Sequence, residues 1–406
     1  MINVKYLILG AGPSGLTFAN VLLRRGETSF LVIEKEDTVG GLCRSVVVDG
    51  APFDIGGGHF LDVRRPEVTS FLFEFMPEEE WNIFDRDSRI ELATSEGVFE
   101  ISHPLEANIW QLPENIQNEY LSSIKVAGCN NNEPMPDYFV PWITWKLGDK
   151  IAKDYMLPYN RKMFADELNE LGTYWLEKLP NVDYEDTLRS CREHHAYGSQ
   201  PGHASFYYPK EYGYGEVWFR MGQTLGDKLV TSMAVSELNI TERSVKLSDG
   251  TKITADAIIS TVPWNSYSKI SGLTEGMVDS LYSLKHSSIE TRYVPDNLDT
   301  KAQWIYIPDN NKPYHRILVR HNFAPNSRGY WLETRKERCN EYNADNYSYM
   351  NEYAYPLNTI DKPQIVDRLL NECKVNHVYG LGRWGEHSHY NSDLVVSRAM
   401  ELANQI

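Results

Sequence analysis

A chain of 406 residues, 42% hydrophobic and 24% charged, is long enough to bury more than one core and predicts two or three structural lobes. Its formal charge of −16 argues against the basic stripe of a nucleic-acid surface and against adherence to anionic lipid, so an anionic small ligand would need a local basic pocket. Cys43, Cys129, Cys191, Cys339 and Cys373 are scattered without CxxC spacing, which indicates neither a zinc site nor a disulfide framework and suits a reducing compartment.

From Val4 to Leu9 the chain reads as a buried strand, Leu16 to Leu23 has helical spacing, and Phe30 to Ile33 reads as a second strand. Between the first strand and the helix stands Gly10-Ala11-Gly12-Pro13-Ser14-Gly15. In such a turn the first glycine permits the bend, the second lets a pyrophosphate approach the backbone, and the third lets helix pack on strand. Glu34 closes the second strand where an acid accepts hydrogen bonds from ribose hydroxyls, with Lys35 beside it. The unit is expected to bind a dinucleotide.

A polar, Trp-rich stretch punctuated by proline follows from 66 to 201, with helical patterns at Val68 to Phe75 and Asn169 to Leu179, and is expected to be a mainly helical insertion. Strands are expected at Ser244 to Leu247 and Lys252 to Ile253, joined by an Asp249-Gly250 hairpin, and then at Ala257 to Val262. From Thr291 to Glu333 short apolar and aromatic runs alternate, predicting antiparallel strands of a second sheet. Val378 to Arg383 reads as a strand entering a glycine turn, and Asp393 to Ala403 as a helix with Ser392 as its N-cap. The fold class expected is α/β: a Rossmann-type domain assembled from 1–65, 202–262 and 371–406, a helical substrate-binding insertion at 66–201, and an antiparallel sheet at 263–370 that faces the substrate.

Several motifs carry a resemblance. Gly40-Gly41-Leu42-Cys43-Arg44-Ser45 resembles the second glycine pair of FAD-binding amine oxidases, and the strand from Val235 and the turn Ser260-Thr261-Val262-Pro263 resemble that group's adenine-side strand and domain exit. Cys43 is expected to be an inert packed thiol rather than a covalent flavin anchor. Asp54-Ile55-Gly56-Gly57-Gly58-His59-Phe60 is similar to the glycine-histidine loop of the UDP-galactopyranose mutase family, whose histidine lies beside the isoalloxazine. Leu157 to Phe164 and Trp175 to Lys178 are similar to that family's uracil-ribose segment, which implies roles for Asn160, Phe164, Trp175 and Lys178. Trp304 to Arg316 is similar to the segment whose tyrosine and arginine grip the diphosphate, implying Tyr306 and Arg316 here, and Tyr353 to Pro356 adds Tyr355. Gly382-Arg383-Trp384-Gly385 resembles the mutase segment whose arginine binds phosphate near the flavin. The sequence departs from the pattern at His389, where mutases usually carry tyrosine, and at Asn391, where bacterial ones carry aspartate.

The resemblance implies a flavin-dependent isomerase that interconverts the pyranose and furanose forms of a nucleotide-diphosphate hexose, N5 of reduced flavin adding to the anomeric carbon, as in cell-surface polysaccharide biosynthesis. FAD would be held by Gly10, Gly12, Pro13, Ser14, Gly15, Glu34, Lys35, Gly41, Leu42, Gly57, Gly58, His59, Val235, Gly382 and Arg383; it would work reduced, with NAD(P)H as an external reductant. His59, Arg316 and Arg383 would act in catalysis. The partner expected is a nucleotide sugar, with no metal, no nucleic acid and no membrane; a cytoplasmic protein, possible as a homo-oligomer, is the reading of a start without a signal pattern. The rival is an FAD oxidase or dehydrogenase of the amine-oxidase or protoporphyrinogen-oxidase type.

Overall fold

The computed structural model describes residues 2–176, 182–198, 204–341 and 346–406. The first strand, β1 (Ile2–Leu9), leads through the glycine turn into helix α1 (Pro13–Arg24) and strand β2 (Phe30–Ile33). β1 pairs in parallel with β2 on one side and with Lys252–Ser260 on the other, and Val378–Gly380 pairs in parallel beyond that. Leu9, Ile33, Ser260 and Gly380 thereby end at one edge of the eight-stranded sheet. In open α/β sheets the ligand sits at the carboxyl ends of the strands. The segments that continue from this edge carry Gly10–Gly12, Glu34, Thr261 and Gly382. Near-continuous apolar runs such as Leu7-Ile8-Leu9 are 0% exposed because both faces of the parallel strands are covered.

The second sheet has seven strands in the order Ser348–Pro356, His286–Val294, Tyr330–Arg335, Arg316–Leu318, Trp304–Tyr306, Ser88–Thr94 and Gly97–Ser102. Its pairings are antiparallel except between Trp304–Tyr306 and Ser88–Thr94, which run parallel. The stretch from 66 to 201 is therefore less helical than its composition suggested. Trp81–Asp85, Ser88–Thr94 and Gly97–Ser102 are strands, and the helices resume at Leu105. The reason is visible in Ser88–Thr94, where Ser88, Ile90 and Leu92 are buried and their neighbours are not, a period of two.

The helical lobe packs Ile116, Tyr120 and Ile124 of Glu114–Lys125 against Phe139, Trp142 and Ile143 of the next helix. A π-helical turn at Ala152–Met156 precedes helix Leu157–Met163; Pro158 has no N–H to give to the previous turn, and the chain widens there. The expected helix at Asn169 to Leu179 is absent from its described part. Leu171 and Gly172 form isolated bridges with Thr359 and Tyr138, and Trp175 Nε1 donates to Gly172 O at 3.0 Å, pinning a turn. Residues 177–181, and with them Lys178, lie outside the described residues. At the C-terminal end the helix begins at Ser392 itself, with Asn391 in the N-cap position, and runs to Gln405 against α1.

Candidate active site

A cavity of about 650 Å³ opens at the carboxyl edge of the first sheet. Its walls include Gly10, Gly12, Pro13, Ser14, Glu34, Lys35, Gly41, Leu42, Val235, His59 and Arg383, so most of the sequence-derived cofactor residues meet in one space. Its size is that of a cofactor pocket. Glu34 is 7% exposed and is already tied to backbone: Oε2 accepts Ala11 N–H at 2.7 Å and Oε1 accepts Glu36 N–H at 2.9 Å. The carboxylate that was expected to meet a ribose thus also braces the glycine turn.

The glycines separate into two kinds. A Cβ on Gly10 would lie 2.5 Å from Thr261 Oγ1, and one on Gly15 would lie 2.0 Å from Gly10 O, so the protein's own packing forbids side chains there. A Cβ on Gly12 would meet nothing nearer than Gly41 Cα at 3.9 Å. Packing does not require glycine at 12; the bare backbone leaves room at the N-terminus of α1, whose first turn carries no acidic residue and no side-chain cap. Free N–H groups and a positive helix end facing an open cavity suit a pyrophosphate. The residues present therefore fit a flavin dinucleotide.

His59 follows the loop Gly56-Gly57-Gly58 into the same cavity, where its Nδ1 is buried without a hydrogen-bond partner. Burial, reinforced by the Arg383 charge, pushes its imidazole down to about 3, so the ring is neutral at any working pH. Cys43 is a buried thiol pushed up to about 12 by desolvation, as suits the inert role expected of it.

The second sheet borders the cavity through Tyr349, Met350, Asn351, Glu352 and Tyr353, and its inner strands carry a row of polar side chains next to it. Tyr306 pairs with Arg316 and Arg316 with Glu333, so the three side chains form one row on one face. Arg316 donates Nε to Glu333 Oε2 at 2.7 Å and Nη2 to Oε1 at 2.9 Å. Burial alone would push Glu333 up, but Arg316, His315 and the Gly58 N–H outweigh it and hold the carboxyl at about 2. Tyr306 Oη accepts from Arg86 Nη2 at 2.9 Å and from Trp304 Nε1 at 3.0 Å.

Tyr355 connects Arg316 to Arg383. Burial raises its phenol, the Arg316 charge lowers it, and the Arg383 guanidinium lies 5.7 Å from its ring. Its ring is 4.9 Å from that of His389, and Phe164 closes the group at 6.3 Å from Tyr355 and 6.4 Å from His389. Desolvation, with Arg383 next, pushes His389 down to about 3. Arg383 Nε and Nη2 donate to Tyr390 O, at 3.1 and 2.8 Å, and Nη1 to Ala354 O at 3.0 Å. These partners are dipoles, and none carries the negative charge that would compensate a half-buried guanidinium.

His59, Phe164, Tyr306, Arg316, Tyr355, Arg383 and His389 are thus assembled in one region, whereas two other sequence-derived residues are engaged elsewhere. Asn160 is 4% exposed and donates Nδ2 to Met156 O of its own helix at 2.7 Å; Trp175 packs on Phe139 with ring centroids 6.1 Å apart. Sequence reasoning missed Glu333, Tyr159 and Arg86. The Glu333 signal was present as a lone acid inside the apolar strand Tyr330–Arg335; Tyr159, 5.4 Å from the ring of Tyr306, gave no signal distinct from core packing. Among the described residues no group of three or more His, Cys, Asp or Glu could hold a metal, and no helix is long and apolar enough to cross a membrane.

Residues 13–276, well over half of the chain, match the family described as flavin containing amine oxidoreductase, and the chain belongs to that family. Over its full length it is similar in fold to reduced UDP-galactopyranose mutase, with a TM-score of 0.87 and 23% identity, covering 100% of this chain and 94% of that one. A putative protoporphyrinogen oxidase from Exiguobacterium sp. 255-15 is also similar in fold, with a TM-score of 0.71 and 12% identity over 99% of this chain and 98% of that one. Curated relatives match only locally. Coproporphyrinogen III oxidase of Mycobacterium leprae is 37% identical over 76 residues, 18% of this chain and 17% of the relative. An inactive all-trans-retinol 13,14-reductase of Danio rerio is 39% identical over 70 residues, 17% and 11%. The matched stretches span less than a fifth of either relative.

Proposed function

We propose that the chain is a reduced-flavin-dependent isomerase of a nucleotide-diphosphate hexose, interconverting its pyranose and furanose forms. The observation that carries the reading is the pair of half-buried guanidinium groups, Arg316 and Arg383, meeting at Tyr355 beside His59, with one carboxylate among the described residues, Glu333, hydrogen-bonded to either of them. A cationic surplus held largely away from water asks for an anion, and planar forks flanked by phenols suit a diphosphate. A cationic amine has no use for it at that place.

Bound and reduced, the flavin would supply the nucleophile toward the anomeric carbon. The protein's part is different. Arg316 and Arg383 receive the charge that develops on the departing diphosphate, and groups fixed before the reaction stabilise it without reorganising. Tyr306 and Tyr355 add phenolic donors. The neutral imidazoles of His59 and His389 can donate or accept hydrogen bonds without adding charge.

The reading is tested by anaerobic assay of dithionite-reduced protein with UDP-galactose. Pyranose and furanose forms should interconvert with no net oxidation of sugar, and oxidised protein should be inactive. Hydrogen peroxide formed in proportion to product would support the oxidase alternative instead.

A second expectation concerns pH. The folded state depresses both imidazoles far below the ordinary 6.5, so each stays neutral until pH falls toward about 3. The affinity of oxidised protein for UDP-galactose, a diester without a titrating phosphate in this range, should be flat between pH 5.5 and 8. A tenfold tightening at pH 5.5, measured by calorimetry, would show that His389 becomes charged against the diphosphate.

A further inference from the structure

Glu333 is 1% exposed and stands between Arg316 and His315 on one side, with His315 Nε2 3.3 Å from Oε2, and the Gly57–Gly58 backbone on the other. Toward the second sheet it takes the Nε and Nη2 edge of Arg316. Toward the first it accepts the Gly58 N–H on Oε1 at 3.1 Å, and that oxygen stands 1.8 Å from where a Cβ on Gly57 would fall. Gly57 has φ +79°, so it is suited to glycine on both counts. The His59 N–H in turn bonds Gly57 O at 2.8 Å, and the His59 ring lines the cofactor cavity. A single carboxylate therefore joins the guanidinium assigned to the anion with the loop that borders the cofactor.

A diphosphate reaching Arg316 meets that carboxylate as a competitor. The bidentate edge of the guanidinium is already occupied, and a second group of negative charge brought to it is repelled by the first. A carboxylate that loses its guanidinium must lean on its remaining partners, the Gly58 N–H and the His315 ring, because an uncompensated buried charge is costly. We propose that Glu333 is a positioning residue that exchanges Arg316 for ligand phosphate and thereby transmits occupancy of the anion site to the Gly57–Gly58 backbone beside the cofactor. This rests on the diphosphate reading of the same site.

The test uses flavin-loaded oxidised protein titrated with UDP and, separately, with inorganic pyrophosphate, following affinity by calorimetry and the change in flavin absorbance on binding. Glu333→Gln keeps the shape and removes the competing charge, so both probes should bind at least fivefold tighter, because the ligand replaces the missing counter-charge. The absorbance change should fall to less than half that of the unaltered protein. A purely structural Glu333 gives weaker or unchanged binding with the optical response intact, which would overturn the proposal. Pyrophosphate tightening without any UDP binding to the unaltered protein would remove the nucleotide reading and leave the exchange standing; failure of both probes to bind would remove both. Should the glutamine variant not fold, Glu333→Asp keeps the charge on a shorter arm. It is expected to lose the optical response while binding UDP no more weakly than the unaltered protein, and an intact response there would equally overturn the exchange.

Discussion

A Gly12→Val chain is expected to fold, to resist denaturant like the unaltered protein and to emerge from purification colourless. The expectation follows from the difference among the three glycines of the turn. At Gly10 and Gly15 an added carbon would collide with Thr261 and with the Gly10 carbonyl, so substitutions there would disturb the turn or the contact of α1 with β1. At Gly12 the nearest heavy atom to an added carbon is Gly41 Cα at 3.9 Å, an ordinary contact, and the backbone at φ −78° and ψ −177° is one any residue adopts. Valine would project into the space in front of the helix N-terminus and displace the pyrophosphate. Flavin content, read by absorbance after heat release, should fall below a tenth of that of the unaltered protein, with the circular dichroism spectrum unchanged. A folded and fully yellow Gly12→Val protein would place the pyrophosphate elsewhere.

The cofactor half of the molecule was legible because its signals are local. A strand, a glycine turn, a helix, a second strand and an acid lie within residues 4–34, and backbone geometry leaves few alternatives for that order. The Asp249-Gly250 turn and its flanking strands are equally local; Leu247 N–H bonds Thr251 O across it, although Lys252–Ser260 is one strand of nine residues where two were expected. The substrate side is different. Tyr306 and Arg316 are joined by a short hairpin and were found together, but Glu333 reaches Gly58 across 275 residues, and nothing in sequence spacing announces that contact. Asn160 shows the converse: a polar residue in a suggestive segment whose donor turns back on its own helix. The strands at 81–102 find their partners far away in sequence: Ser88–Thr94 joins Trp304–Tyr306, and Trp81–Asp85 joins Ser205–Pro209 in a smaller sheet.

Arg316→Ala is expected to weaken UDP binding about 10- to 150-fold, since charge-assisted hydrogen bonds of this kind are worth about 1.5 to 3 kcal/mol. On the proposed function the loss should extend to turnover by a comparable factor, because the same fork would receive the charge of the departing diphosphate. Flavin content should be retained, as Arg316 is not part of the cofactor cavity wall. Arg383 is a less selective probe: it lines that cavity and ties Tyr390 to Ala354 through three donors, so Arg383→Ala should lose flavin and stability along with the nucleotide. Truncation at 316 also leaves Glu333 buried without its guanidinium, which costs stability of about 3 to 5 kcal/mol where nothing relaxes. Arg316→Lys separates the two effects. An ammonium restores a positive charge near Glu333 but cannot present two parallel donors, so stability should return while UDP affinity recovers only in part. Calorimetry on flavin-loaded protein, with denaturant midpoints measured alongside, distinguishes these outcomes. UDP affinity unaltered in both the alanine and the lysine variants would remove the nucleotide-sugar assignment and leave a flavin oxidase as the better account of the same fold.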